Sequence, residues 1–372
     1  MTYRERFLNT LTGTPVDRLP YIEWGLFNRC FTYSRWDRWI GSDTDPRFYF
    51  GFDNAKFMRG YEEVPVDWFA VPRFEATALP NDGRYIRRIE PSYGQVVREL
   101  PTDPLRPMVV QVFEDHPVKG RDDWLRFKER FKLTTEGRFP SNWSNWCEHA
   151  KSADHPIGLL LRGPTYAASA AMGLEGDTGM LLSVYDRPEL LAEILDHFLK
   201  LAMICTNKVL EDSRVDLVVL IDDVGGDSGT LFGPATMKRF FLPAVASLVS
   251  LIREYGVELI LLRQRGNLND VLDLYVSRGI NGLYGVNNAN GMQLGRLLER
   301  YGDTMCFIGG IDVRVLRGSN KTIEEEVMRK VDLARRGRII PCLGTHILPE
   351  TTFDRYRYYA SALRKAIGPL DV

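Results

Sequence analysis

The 372-residue chain carries almost no net charge, 48 Lys and Arg standing against 49 Asp and Glu. That balance offers no general attraction for nucleic acid or an anionic membrane, and it leaves a small molecule as the expected partner. Cysteine is scarce: Cys30, Cys147, Cys205, Cys306 and Cys342 are odd in number and include no Cys-x-x-Cys pair. Neither a disulfide framework nor a zinc knuckle is suggested, and a reducing compartment fits. No run of 18 apolar residues offers a membrane span, and the charged opening Met-Thr-Tyr-Arg-Glu-Arg-Phe lacks the apolar stretch of a signal peptide. A soluble, cytoplasmic protein is expected. No short repeat or low-complexity tract interrupts the chain.

What is present is material for a large core. Apolar residues make up 44% and charged residues 26%, so disorder is not indicated. The most organised stretch is Asp-Leu-Val-Val-Leu-Ile-Asp-Asp-Val-Gly-Gly, from Asp216 to Gly226. Its five branched aliphatics read as a strand buried on both faces that stops on two carboxylates. Further strands are expected at 21–24, 54–58, 157–161, 258–262, 282–286, 305–308 and 338–343. Helical patterns fall at 4–11, 121–149, 188–210, 234–255, 269–278, 292–301 and 322–336. Eight strands alternating with helices specify an α/β fold, a (β/α)8 TIM barrel, for which 372 residues suffice as one domain. Period-two alternation from about 84 to 113, with Tyr93-Gly94 at a turn, reads as an antiparallel β-hairpin insertion. Between 27 and 39, aromatics alternate with Arg29, Arg35 and Arg38. This N-terminal aromatic extension reads either as a lid or as rings packed on the barrel top.

In such a barrel the carboxyl ends of the strands carry the site. The residues found there are Glu23, Asp53, Arg162, Asp222, Asp223, Arg263, Arg265, Asn287, Asp312 and His346, and they are expected to converge at one mouth. Asp222 or Asp223 could instead cap the following helix. Arg263 and Arg265 call for an anion, supplied by those aspartates or by a substrate. His346 is the one histidine of five at a strand exit, which favours proton transfer over a purely structural hydrogen bond; His116, His149, His155 and His197 look peripheral. Grouping His346, Cys342, Glu23 and Asp222 gives no recognisable metal spacing, so no metal is expected.

Several motifs resemble the uroporphyrinogen decarboxylase superfamily. They are the opening Tyr-Arg-Glu-Arg-Phe-Leu-Asn-Thr-Leu-Thr-Gly-Thr-Pro-Val-Asp-Arg-Leu-Pro, Asp222-Asp223-Val-Gly, Phe232-Gly-Pro, Gly266-Asn267, Ile308-Gly-Gly-Ile-Asp312 and Leu343-Gly-Thr-His-Ile-Leu-Pro. The resemblance runs end to end and implies a (β/α)8 barrel. It also implies either decarboxylation or methyl transfer with corrinoid proteins or coenzyme M. His346 matches the decarboxylase histidine and Asp53 its pyrrole-binding aspartate. The decarboxylases' Arg-Gln-Ala-Gly-Arg-Tyr segment is replaced here by Glu-Trp-Gly-Leu-Phe-Asn-Arg, their tyrosine falls near Ala170 with Tyr166 as a substitute, and their serine falls on Asp223. In the methyltransferase branch a zinc-binding His-x-Cys precedes Gly-Asn; this chain has Arg263-Gln264-Arg265.

The expectation is therefore a corrinoid-linked methyltransferase or demethylase of a small anionic methylated substrate. Asp222, Asp223 and His346 would be catalytic; Glu23, Asp53, Arg162, Tyr166, Arg263, Arg265, Asn287 and Asp312 would bind substrate. No cofactor is expected to be held tightly, methylcobalamin being presented by a separate corrinoid protein, and a homodimer is expected because such proteins often pair. The alternatives are a decarboxylase of a carboxylated, even tetrapyrrole, substrate and a non-catalytic binding protein.

Overall fold

A computed structural model describes the chain except residues 25, 27–35, 42–43, 81–82, 84, 100–110, 175, 177, 223, 264–265, 349 and 369–372, and only the backbone of 37, 38 and 111. Seven parallel strands run in the order β1 (Glu62–Glu63), β5 (Ile157–Arg162), β6 (Leu217–Ile221), β7 (Leu259–Arg263), β8 (Gly282–Val286), β9 (Cys306–Ile311) and β10 (Ile339–Leu343). A separate antiparallel sheet holds β2 (Ile86–Ile89), β3 (Val96–Glu99) and β4 (Gln111–Asp115). The expected hairpin is thus a three-stranded sheet with its turn at Tyr93-Gly94.

Alternation along each strand explains the curl. Leu217, Val219 and Ile221, Leu259 and Leu261, Cys306 and Ile308, Ile340 and Cys342 face an inner core with Leu160 and Tyr284. Val218, Leu220, Ile260, Leu262, Phe307 and Ile339 face an outer core shared with the helices. Both faces are dry, so near-continuous aliphatic strands are required, and each such side chain contributes roughly 1.5–3 kcal/mol by burial. Gly158 is needed for closure, since a Cβ there would lie 2.2 Å from the Tyr61 ring.

Two expected strands differ. Residues 54–58 form turns, and β1 takes their place in the sheet. Residues 21–24 join no ladder: Tyr21 O accepts from Asp53 N at 2.7 Å, and Glu23 is bonded by the Asn54 side chain. Its Oδ1 accepts from Glu23 N at 3.2 Å, and its Nδ2 donates to Glu23 O at 3.1 Å and Phe57 O at 3.2 Å. Ile22 and Trp24 still enter the inner core, so this segment stands as the eighth stave, beside β10, where Leu343 N donates to Glu23 Oε2 at 3.3 Å.

The N-terminal helix Tyr3–Thr12 carries a Thr2/Glu5 capping box and sends Phe7 and Leu11 into the inner core. The aromatic stretch at 27–39 lies mostly outside the described residues. Pro234–Glu254 is long and apolar enough, by composition, to cross a membrane. It directs Leu242, Val245, Leu248 and Ile252 into the outer core instead.

Candidate active site at the barrel mouth

Arg263 ends β7 in phase with Leu259 and Leu261, so its half-buried side chain points inward at the mouth. It lines a cavity of about 380 Å³ with Trp24, Asp227, Tyr284, Gly285, Asn287, Asn290, Gly344, Thr345 and His346. Trp24 is the centre of this group. Its ring lies 5.4 Å from the His346 ring and 5.5 Å from the Tyr284 ring, and Arg263 Cζ stands 5.7 Å from its centroid. Tyr284 donates to Arg59 O at 3.0 Å, and burial holds its phenol pKa well above the ordinary value. Gly344 admits the close approach that brings His346 over the mouth, because a Cβ there would meet Val286 O at 2.1 Å. Asn287 turns the chain after β8 by accepting from Ala289 N at 3.1 Å, and Asn290 donates to Asp227 Oδ1 at 3.0 Å.

The remaining sequence candidates go elsewhere. Asp222 is in phase with Val218 and Leu220, so it leaves the barrel outward and accepts from Tyr275 OH at 2.7 Å. Glu23, fully buried, likewise turns outward and accepts from Tyr359 OH at 2.9 Å. Asp53 takes both Arg18 terminal nitrogens at 2.8 Å and Tyr21 N at 2.8 Å, at the start of the eighth stave rather than the exit of a strand. Asp312 caps a 3-10 turn, accepting from Arg314 N at 2.9 Å and pairing with the Arg314 guanidinium, which holds its pKa below the usual carboxylate range against the opposing effect of burial. Parity along the strand sends Asp222 and Glu23 outward, whereas local partners, Arg18 and Arg314, hold Asp53 and Asp312. Arg162 packs its guanidinium 4.8 Å from the Phe69 ring and 5.0 Å from the Tyr166 ring, on the inward phase of β5. Asp223 and Arg265 lie outside the described residues.

Tyr284, Trp24, Asp227 and Asn290 are site-lining residues that strand-end reading missed. The first two carried a signal in their inward phase; the last two lie on turns and carried none. Zinc, which the methyltransferase branch uses, finds no group of three ligand atoms at the mouth among the described residues. Cys342 is fully buried with its thiol pKa pushed well up, Glu23 is bonded to Tyr359, and Arg263 places a positive charge in the cavity. These residues do not fit zinc.

A parallel barrel whose cavity opens at the carboxyl ends of its strands, with a few charged and polar groups set among apolar surface, has the layout of an enzyme. The chain belongs to the uroporphyrinogen decarboxylase (URO-D) family, whose profile matches residues 147–366. A curated uroporphyrinogen decarboxylase from Syntrophotalea carbinolica is 30% identical over 170 residues, 45% of this chain and 46% of that protein. The chain thus spans about half the length of the curated relative it matches. In fold it is similar to a methyltransferase from Methanosarcina mazei, with a TM-score of 0.56 at 18% identity over 98% of this chain and 99% of that one.

Proposed function

We propose that the protein is a corrinoid-linked methyltransferase or demethylase that takes a small anionic methyl donor at the barrel mouth. The observation that carries this reading is Arg263 and His346 set on the same Trp24 ring in one cavity. A guanidinium there offers a fork for a carboxylate or phenolate, and the indole and Tyr284 faces offer apolar surface for the methyl-bearing part. Transfer of a methyl group from an ether leaves the bonding pair on oxygen. In this reading His346 protonates that oxygen, which would otherwise leave as an unstabilised anion. A corrinoid carried by a partner protein would supply the nucleophile that takes the methyl group. Asp223 and Arg265 complete the proposed set, and Arg162 with Tyr166 forms an outer anion contact. Under this reading the enzyme is a cytoplasmic homodimer that binds neither nucleic acid nor membrane.

Decarboxylation is the second reading, favoured by the curated relative and by the decarboxylase histidine that the sequence resemblance implies at His346. One assay distinguishes the two. Candidate methyl ethers and methylamines bearing a carboxylate are incubated with reduced cobalamin, and methylcobalamin absorbance is followed; accumulation is expected. Carbon dioxide release from a carboxylated substrate without methylcobalamin would establish the second reading instead.

A further inference from the structure

Away from the mouth, Glu62, His149 and His155 bring three ligand atoms within 4.8 Å of one another. They come from three neighbouring elements: Glu62 opens β1, His149 lies in the helix Trp143–Ser152, and His155 precedes β5, whose Ile157 is in register with Glu62. Trp146 Nε1 donates to Glu62 Oε1 at 3.0 Å, fixing the carboxylate and turning Oε2 to the two imidazoles. His149 Nε2 lies 2.9 Å and His155 Nε2 2.6 Å from that oxygen.

His155 also has Asp154 Oδ1 at 3.1 Å from its Nδ1. A neutral imidazole owns a single N–H, and here each ring nitrogen faces a carboxylate oxygen. With Nδ1–H given to Asp154, Nε2 presents a lone pair to Glu62, an arrangement that a cation between them makes favourable. Orientation of a ligating histidine by a carboxylate on its other nitrogen is the usual support of a metal ligand. We propose that Glu62, His149 and His155 form a divalent transition-metal site of the zinc class at the closed end of the barrel. Two imidazoles and one carboxylate suit zinc, whereas magnesium and calcium prefer all-oxygen sets. Ligand atoms around a tetrahedral ion with bonds of about 2.0–2.1 Å lie roughly 3.3 Å apart. To admit the ion, both imidazole nitrogens must draw back from Glu62 Oε2, from 2.9 Å for the exposed His149 and from 2.6 Å for the more enclosed His155. A bound ion would tie the start of β1 to the helix and turn that lead into β5.

The test uses the full chain, stripped with a chelator and dialysed. Cobalt(II) is titrated as a spectroscopic probe, zinc and magnesium are added in separate thermal-shift measurements, and the variants are His149→Ala, Glu62→Gln and His346→Ala. One saturable equivalent of cobalt with visible d–d bands is expected, together with a higher Tm in zinc but not in magnesium. His149→Ala, at an exposed helix position, should fold normally and weaken cobalt binding by more than about 100-fold; His346→Ala should bind as the wild type does. Absence of saturable binding, or binding that survives His149→Ala and is lost in His346→Ala, would overturn the site.

Discussion

Arg263 and Asp222 close neighbouring strands one residue out of step, Ile221 standing opposite Arg263, yet their side chains reach different regions. Arg263 joins a half-buried group around a cavity, while Asp222 is 1% exposed between sheet and helices. In that outer layer two strand-end carboxylates meet tyrosine hydroxyls, Asp222 with Tyr275 and Glu23 with Tyr359. Burial first, and the adjacent carboxylate second, push both phenol pKa values well up, so both stay donors. The two regions are built from the same residue types. What separates them is enclosure: the outer carboxylates are shut between sheet and helices, whereas the mouth sets a cation and an imidazole beside open volume.

The sharpest test of this division is Asp53, which sequence alone puts at the mouth. Its salt bridge to Arg18 is nearly buried, with side-chain exposures of 12% and 6%. Asp53→Ala leaves the guanidinium uncompensated, and a loss of about 3–5 kcal/mol in unfolding free energy is expected. Chemical denaturation measures it. A stable variant with weakened ligand binding would return Asp53 to the site and break the comparison.

Arg263→Leu should do the reverse. A charge-assisted contact is worth roughly 1.5–3 kcal/mol, so affinity for the methyl donor found by the cobalamin assay should fall about 10- to 100-fold. The melting temperature should move little, because the guanidinium is only half-buried. Arg263→Lys should recover part of the affinity, since an ammonium lacks the bidentate fork. If Arg263 serves instead to neutralise a neighbouring aspartate, the melting temperature falls markedly and affinity holds. Tyr275→Phe then probes the outer layer directly. Removing the hydroxyl takes a partner from buried Asp222, at a cost of about 1–3 kcal/mol, with no change in ligand affinity.

Six of the eight expected strands stand where period and aliphatic composition put them, because a strand dry on both faces must be continuously apolar and few other segments can be. Residues 21–24 and 54–58 escaped that logic. There, one amide side chain, Asn54, bonds the stave in place of a ladder, and no periodicity announces a side chain acting as backbone. At the site, Arg263, Asn287 and His346 were legible as strand ends, and Asp222, Glu23, Asp53 and Asp312 were read by the same rule to the wrong place. For Asp222 and Glu23 the missing information was phase: Glu23 lies between Ile22 and Trp24, both inward, and so must point outward; for Asp53 and Asp312 it was the local partner, Arg18 or Arg314. Tyr359 and Tyr275, which receive Glu23 and Asp222, sit on helices distant in sequence from both.

The smallest effect concerns a third charged group of the outer layer. Asp312 N donates to Glu326 Oε1 at 3.1 Å, and buried Lys330 places its Nζ 3.7 Å from the same oxygen. Burial outweighs the attraction of Glu326 and brings the Lys330 pKa down to about 8, against roughly 10.4 for an unfolded lysine. Between those values the unfolded chain holds a proton that the folded one has released. Stability contributed by this group therefore rises as pH increases through the window, by at most ~1.4 kcal/mol per pH unit, and is flat below it, where both states are protonated. Lys330→Met removes the titrating group while Glu326 keeps its contacts to Arg329 and Asp312 N. Urea midpoints for both proteins between pH 7.5 and 10 should show a steeper rise for the wild type, and parallel curves would mean that Lys330 stays charged in the fold. Activity at the mouth should not follow the substitution, since neither Asp312 nor Lys330 lines the cavity.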